Sequence, residues 1–149
     1  MAQIAPVAPL TACCVWLTGP AGAGKRTIAR GLHDVFVARH IEAALLDDET
    51  VATHLANGVE SLAWLCRLLV AHGVPVIVSV PLPTRRERDE MRYLIPGFVE
   101  VFVDPGHADA GYEEPFAPEL RLPTHDREAR ASVAQLVSWL EHTGYMSDD

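Results

Sequence analysis

A glycine-rich loop between a strand pattern and a helix pattern constrains this chain more than any other feature. Gly19-Pro20-Ala21-Gly22-Ala23-Gly24-Lys25 runs on into Arg26-Thr27. It follows the apolar run Cys13-Cys14-Val15-Trp16-Leu17 and opens an amphipathic stretch carrying Ile28, Leu32, Val35 and Phe36. Strand, Gly-x-x-x-x-Gly-Lys loop and helix form the context that a phosphate-cradling P-loop requires. The glycines let successive backbone N–H groups turn toward an anion, and the helix N-terminus adds partial positive charge. Nucleotide phosphates are therefore expected at Gly19 to Thr27, with Lys25 reaching the terminal ones. Lys25 is the only lysine among twelve basic residues, so its place in the loop is specific, because Arg does not replace a slender ammonium between phosphates. The motif's next residue is normally a hydroxyl that ligates Mg²⁺; here it is Arg26.

The rest of the chain alternates strand and helix patterns. Helix is expected from Lys25 to about Arg39, a strand over Ile41 to Leu46, a short helix over Thr50 to Leu55, and a helix over Val59 to His72 with Gly73 at its C-terminal end. Val74 to Val80 is a β-branched run typical of a central parallel strand. An Arg-rich helix from Arg85 to about Tyr93 follows, then a strand over Phe98 to Val103, a loop over Gly106 to Pro118, a short strand at Leu120-Arg121-Leu122, and a helix from Asp126 to His142. This order predicts an α/β fold: a parallel sheet with helices on both faces, a three-layer sandwich of the P-loop NTPase type. The 149 residues suit a single domain, with residues 1–10 as a loose lead-in.

In such sheets ligands sit beyond the carboxyl ends of the strands. Those ends here are the P-loop, Asp47-Asp48-Glu49, Val80 to Arg88, and Asp104 onward. Phosphoryl transfer needs a phosphate cradle, neutralising charge and a group that accepts the acceptor's hydroxyl proton. Asp47 and Glu49 are the candidates for proton acceptance and for holding Mg²⁺ through water, with Asp48 as a helix cap. Arg85, Arg86, Arg88 and Arg92 form the densest basic cluster, and Arg85 or Arg88 is the candidate to bind an anionic acceptor. The interleaved Glu87, Asp89 and Glu90 give the competing reading, a solvated salt-bridged face.

A net charge of −8 argues against general nucleic-acid or anionic-membrane binding but leaves room for one small anion in a local positive pocket. No segment approaches the roughly 20 apolar residues of a membrane span. The three cysteines make no zinc or disulfide pattern, so reduced thiols and a cytoplasmic location are expected.

Taken together, the motifs resemble those of the adenylylsulfate (APS) kinases, which phosphorylate the 3′-hydroxyl of adenosine 5′-phosphosulfate. Trp16-Leu17-Thr18-Gly19 through Ile28-Ala29 matches the family's P-loop, and Leu45-Leu46-Asp47 its "LLDGD". Gly73 through Ser79 matches "GxxVIxS"; Pro83, Arg85, Arg88 and Arg92 fall on "SPYRxxRxxxR". Glu100 through Asp104 resembles "EVYVD", and Tyr112 through Thr124 resembles "YExPxxPELxxxT". The resemblance implies ATP with Mg²⁺ as cofactors, a small anionic acceptor such as APS, catalytic roles for Lys25, Asp47 and Glu49, and a possible homodimer. The departures gather at the site. Arg26 replaces the Mg²⁺-ligating hydroxyl, Asp48-Glu49 stand for Gly-Asp, Ala52 stands for a substrate Arg, and Leu82 for a Ser. The stretch from Leu55 to Ser61 is short, and most of the family's lid before Tyr112 is missing. Two functions stay open at this level: a kinase of this family, or a catalytically impaired nucleotide-binding pseudo-kinase with a regulatory or partner-binding role.

Overall fold

The computed structural model describes residues 12–55 and 57–147, so the lead-in expected over residues 1–10 lies outside the described residues. The elements follow the chain as β1 (Cys14–Thr18), α1 (Lys25–Ala38), β2 (Ala44–Leu46), α2 (Asp48–His54), α3 (Val59–Ala71), β3 (Val76–Val78), α4 (Arg85–Leu94), β4 (Phe98–Asp104), β5 (Leu120–Pro123) and α5 (Ala129–His142). The strands form one five-stranded sheet in the order β2-β3-β1-β4-β5. Every pairing is parallel, with β1 held between β3 (Val15↔Ile77) and β4 (Val15↔Val99).

Strand side chains alternate between two cores. Cys13, Val15, Leu17, Ile77, Val99, Val101 and Val103 pack with Ile28, Leu32 and Phe36 of α1 and Leu136, Val137 and Leu140 of α5. Cys14, Trp16, Val76, Val78 and Phe98 face the other way, onto Leu62 and Cys66 of α3 and Met91 of α4. Burial on both faces explains why β1 and β3 read as unbroken apolar runs. Trp16 is buried completely, and its indole N–H donates to the Val80 carbonyl at 3.2 Å, so its one polar atom is satisfied.

Helix ends follow their local chemistry. Gly73 (φ +78°) closes α3 with Gly73 N–H donating to Val70 O and Val74 N–H to Leu69 O, the paired bonds of a Schellman motif. Thr84 and Glu87 form a reciprocal capping box that starts α4. Two expectations shift. The strands expected over Ile41–Leu46 and Val74–Val80 shrink to three residues each, because only those residues pair with a neighbour in register. The last helix begins at Ala129 rather than Asp126, since Asp126 takes a left-handed backbone (φ +57°) that cannot open a right-handed helix.

Gly31 lies where α1 meets α5, and a Cβ added there would sit 2.6 Å from Val133 Cγ2. Gly31→Ala gains helix propensity of about 1 kcal/mol, but the stiff β-branched neighbour offers no room. We expect a net loss of about 1–2 kcal/mol in urea unfolding, and the double variant Gly31→Ala/Val133→Ala to be more stable than Gly31→Ala alone.

Candidate active site

Because all the strands run parallel, their carboxyl ends share one edge, and five connecting segments gather there: Gly19, Asp47, Ser79, Pro105 and Thr124 each follow a strand directly. The loop after β1 turns through Gly22 (φ +79°) and Gly24 (φ +100°), left-handed positions where another residue would cost about 1–2 kcal/mol. Gly24 is the N-cap of α1, so the first amides of that helix point back into the loop. Gly19 passes so close to β4 that a Cβ would lie 2.5 Å from the Val103 carbonyl oxygen. Thr124 steadies the far side by donating from Oγ1 to the Ala23 carbonyl at 3.2 Å. Beside the loop lies an open cleft of about 490 Å³, lined by Gly22, Gly24, Thr27, His107, Thr124 and His125 among others.

The two cations of the loop are held by protein acceptors. Lys25 folds back and donates from Nζ to the carbonyls of Gly19 at 2.6 Å and Pro20 at 3.1 Å. Burial lowers its pKa, against a partly opposing pull from Asp48. Arg26 donates from Nη2 to Asp48 Oδ1 at 2.9 Å, tying the first turn of α1 to the first turn of α2. With both side chains about half exposed, that pair is worth at most about 1 kcal/mol.

The acidic triplet sorts differently from expectation. The cap of α2 is Asp47, not Asp48: Asp47 Oδ1 accepts from Thr50 N–H and Thr50 Oγ1, both at 2.8 Å. Those two hydrogen bonds hold its carboxyl below the ordinary value, helped by Arg26 and Arg30. Glu49 is exposed, and its side chain has no hydrogen bond or ion pair among the described residues. No three His, Cys, Asp or Glu residues cluster as a metal cage among the described residues. A divalent cation bound in the motif's manner does not fit the residues present: its hydroxyl ligand is an arginine that pairs with Asp48, and Asp47 commits Oδ1 to the cap.

The arginines of α4 also depart from the solvated face. Arg88 is fully buried. It donates from Nε to Glu100 Oε2 at 3.0 Å, from Nη1 to the Leu82 carbonyl at 2.7 Å, and from Nη2 to the Glu113 carbonyl. Its three guanidinium nitrogens are thus all engaged with protein acceptors. Arg85 is more open but engaged, donating from Nε to the Glu114 carbonyl at 2.6 Å and stacking on the exposed Phe116 ring. Arg92 pairs with Glu119 and Glu100.

Three participants lie in motifs named from the sequence, which assigns them no role there. Glu100 is a carboxylate inside a buried strand, and a charge in an otherwise apolar run is the signal that a buried cation must face it. Tyr112 lies against Thr18, with 2.6 Å between their hydroxyl oxygens, while its ring stacks on Phe102. Asp104, at the end of β4, accepts from the Gly106 amide at 2.8 Å and from Arg121. Burial works against its charge, yet these partners, with His107, outweigh it and hold its carboxyl below the ordinary value.

A family model described as adenylylsulphate kinase matches residues 11–110. The chain belongs to the adenylylsulphate kinase family. An adenylyl-sulfate kinase from Microcystis aeruginosa is 33% identical, the match covering 89% of this chain and 93% of that protein. That alignment runs over 168 positions, more than the 149 residues of this chain, so the relative carries segments absent here. A solved APS kinase from Mycobacterium tuberculosis superposes with a TM-score of 0.77 at 27% identity, covering 89% of this chain and 99% of that one. A hexameric APS kinase from Thiobacillus denitrificans gives the same TM-score, 0.77, at 25% identity, with 95% of this chain covering 31% of that longer one. The five-stranded parallel sheet with helices on both faces is thus the P-loop kinase fold.

Two outcomes follow. Removing Arg88 strands Glu100 as a buried charge, so Arg88→Met should cost about 3–5 kcal/mol in urea unfolding, while Arg85→Met costs less than about 1 kcal/mol. The Asp47 cap, with its folded pKa depressed, contributes stability above the unfolded value near pH 4 and loses it as pH falls through the folded one. Asp47→Ala should cost about 1 kcal/mol at pH 7, and its deficit against wild type should shrink below about pH 4.

Proposed function

We propose that this protein binds ATP at Gly19–Thr27 and transfers its terminal phosphoryl group to a hydroxyl of a small anionic acceptor, for which APS is the compound that the family membership implies. The observation that carries the reading is the loop itself: two left-handed glycines, an α1 N-terminus open toward the sheet edge, and Lys25 at the first position of that helix. Backbone amides and Lys25 stabilise charge on the phosphates where they bind. Glu49, exposed and uncommitted two residues after the cap, takes the acceptor's hydroxyl proton. Arg85 is assigned to the acceptor's anionic group, reached by exchanging its contacts with Glu113 and Glu114. Asp47 positions Glu49 by starting α2 rather than by touching substrate. No step is routed through Mg²⁺, which ATP brings in the family's chemistry, because the residues around Lys25 offer it no direct ligand set. Self-association, as a homodimer, is carried as part of the same reading.

Calorimetric titration of ATP and a coupled assay with APS test it. Lys25→Ala should weaken ATP binding about tenfold to hundredfold, the worth of one charged hydrogen-bonding group. Glu49→Gln should keep the affinity for ATP while turnover falls by about 10²-fold or more. Absence of ATP binding at millimolar concentration would falsify the nucleotide reading, and unchanged turnover in Glu49→Gln would remove Glu49 from the mechanism.

A further inference from the structure

The pairing of Arg26 with Asp48 points to how this loop handles phosphate charge. Asp48 accepts from Arg26 Nη2 at 2.9 Å, and its charge also acts, without contact, on Lys25. That bond links the start of α1 to the start of α2. A tie this exposed is weak and easily exchanged. A guanidinium is also the side chain best matched to phosphate oxygens, through two parallel N–H donors. The residue that should ligate a divalent cation is therefore a permanent cation on a long arm. Of the remaining acids, Asp47 is held by Thr50 and faced by Arg26 and Arg30, and Glu49 is exposed to solvent.

We infer that this chain binds nucleoside polyphosphate without needing a divalent cation: Arg26 leaves Asp48 and pairs with the phosphates, and Asp48 holds that arm in place until the nucleotide arrives. The inference rests on the nucleotide-binding reading above and goes beyond it by naming the ionic form of the ligand, the metal-free polyphosphate, and the residue that competes with it. Binding then breaks the one ion pair joining α1 to α2 among the described residues, so the start of α2, with Glu49 on it, is released as the phosphates are seated.

Calorimetric titration of ATP into the full chain tests this, once in EDTA and once with excess Mg²⁺. Wild-type affinity should agree within about threefold between the two conditions. Arg26→Ser restores the motif's hydroxyl; it should lose at least about tenfold in EDTA and recover affinity with Mg²⁺. Arg26→Lys, which keeps the charge, should retain most of the EDTA binding and guards against an Arg26→Ser protein that fails to fold. Asp48→Asn removes the competing anion and should tighten binding in EDTA several-fold, with its thermal midpoint near wild type because the pair is exposed. Wild-type binding seen only with Mg²⁺ would overturn the inference and leave the nucleotide reading intact, whereas no binding in either condition would overturn both. Asp48→Asn binding no more tightly than wild type would also overturn the exchange.

Discussion

The parallel pairing of β1 on both sides is the constraint on which the rest of this molecule hangs. A strand flanked by β3 and β4 has both its edges hydrogen-bonded and both its faces covered, so its side chains must be apolar or internally satisfied. Trp16 is tolerated there because its one polar atom finds the Val80 carbonyl. Parallel pairing also means that each return to the sheet needs a crossover, through helices everywhere except between β4 and β5, where residues 105–119 form a loop. The loops at the carboxyl ends are therefore the ones free to vary and to bind. The P-loop is the continuation of that most constrained strand, pressed against β4 at Gly19. Its precision comes from the strand beneath it.

A second, polar constraint sits on the α4 side. Arg88 joins three segments: the loop after β3 at Leu82, the middle of β4 at Glu100, and the segment before β5 at Glu113. Two of these border the carboxyl edge. The segment from Gly106 to Pro118 has few apolar residues of its own, and it is fixed through Arg88, through Arg85 and through Tyr112 against Thr18. A buried ion pair is a weak source of net stability compared with apolar packing but a costly one to break. It suits a place where loop position matters more than total stability.

The charges of the site are largely met by one another and by backbone carbonyls. Cations and acids face each other across the gap between α1 and α2, with Lys25 turned onto its own loop and Arg26 onto Asp48. The cradle geometry of the loop is preserved while the residue that would meet a metal is replaced. Phosphate binding depends on backbone amides and therefore on glycine positions, which are intact; metal ligation depends on a single side chain, which is not.

By itself the sequence determined the α/β class, the order of its elements, the P-loop and the resemblance to the APS kinases, because periodicity, glycine placement and motif spacing are local properties carried by neighbours in the chain. The stop of α3 at Gly73 was legible for the same reason. Tertiary structure decided what each charged side chain does. Arg85, Arg88 and Arg92 share one helical face and one residue type, yet Arg88 is buried on Glu100 while Arg85 stacks on Phe116 at the surface. In the triplet Asp47-Asp48-Glu49, one acid caps, one pairs with Arg26, and the side chain of the third has no partner among the described residues. Only the Asp47 cap is local, its partner Thr50 lying three residues on. A charge is set by whichever partner the fold brings within hydrogen-bonding reach, and for the arginines of α4 those partners lie up to twenty-nine residues away in the chain.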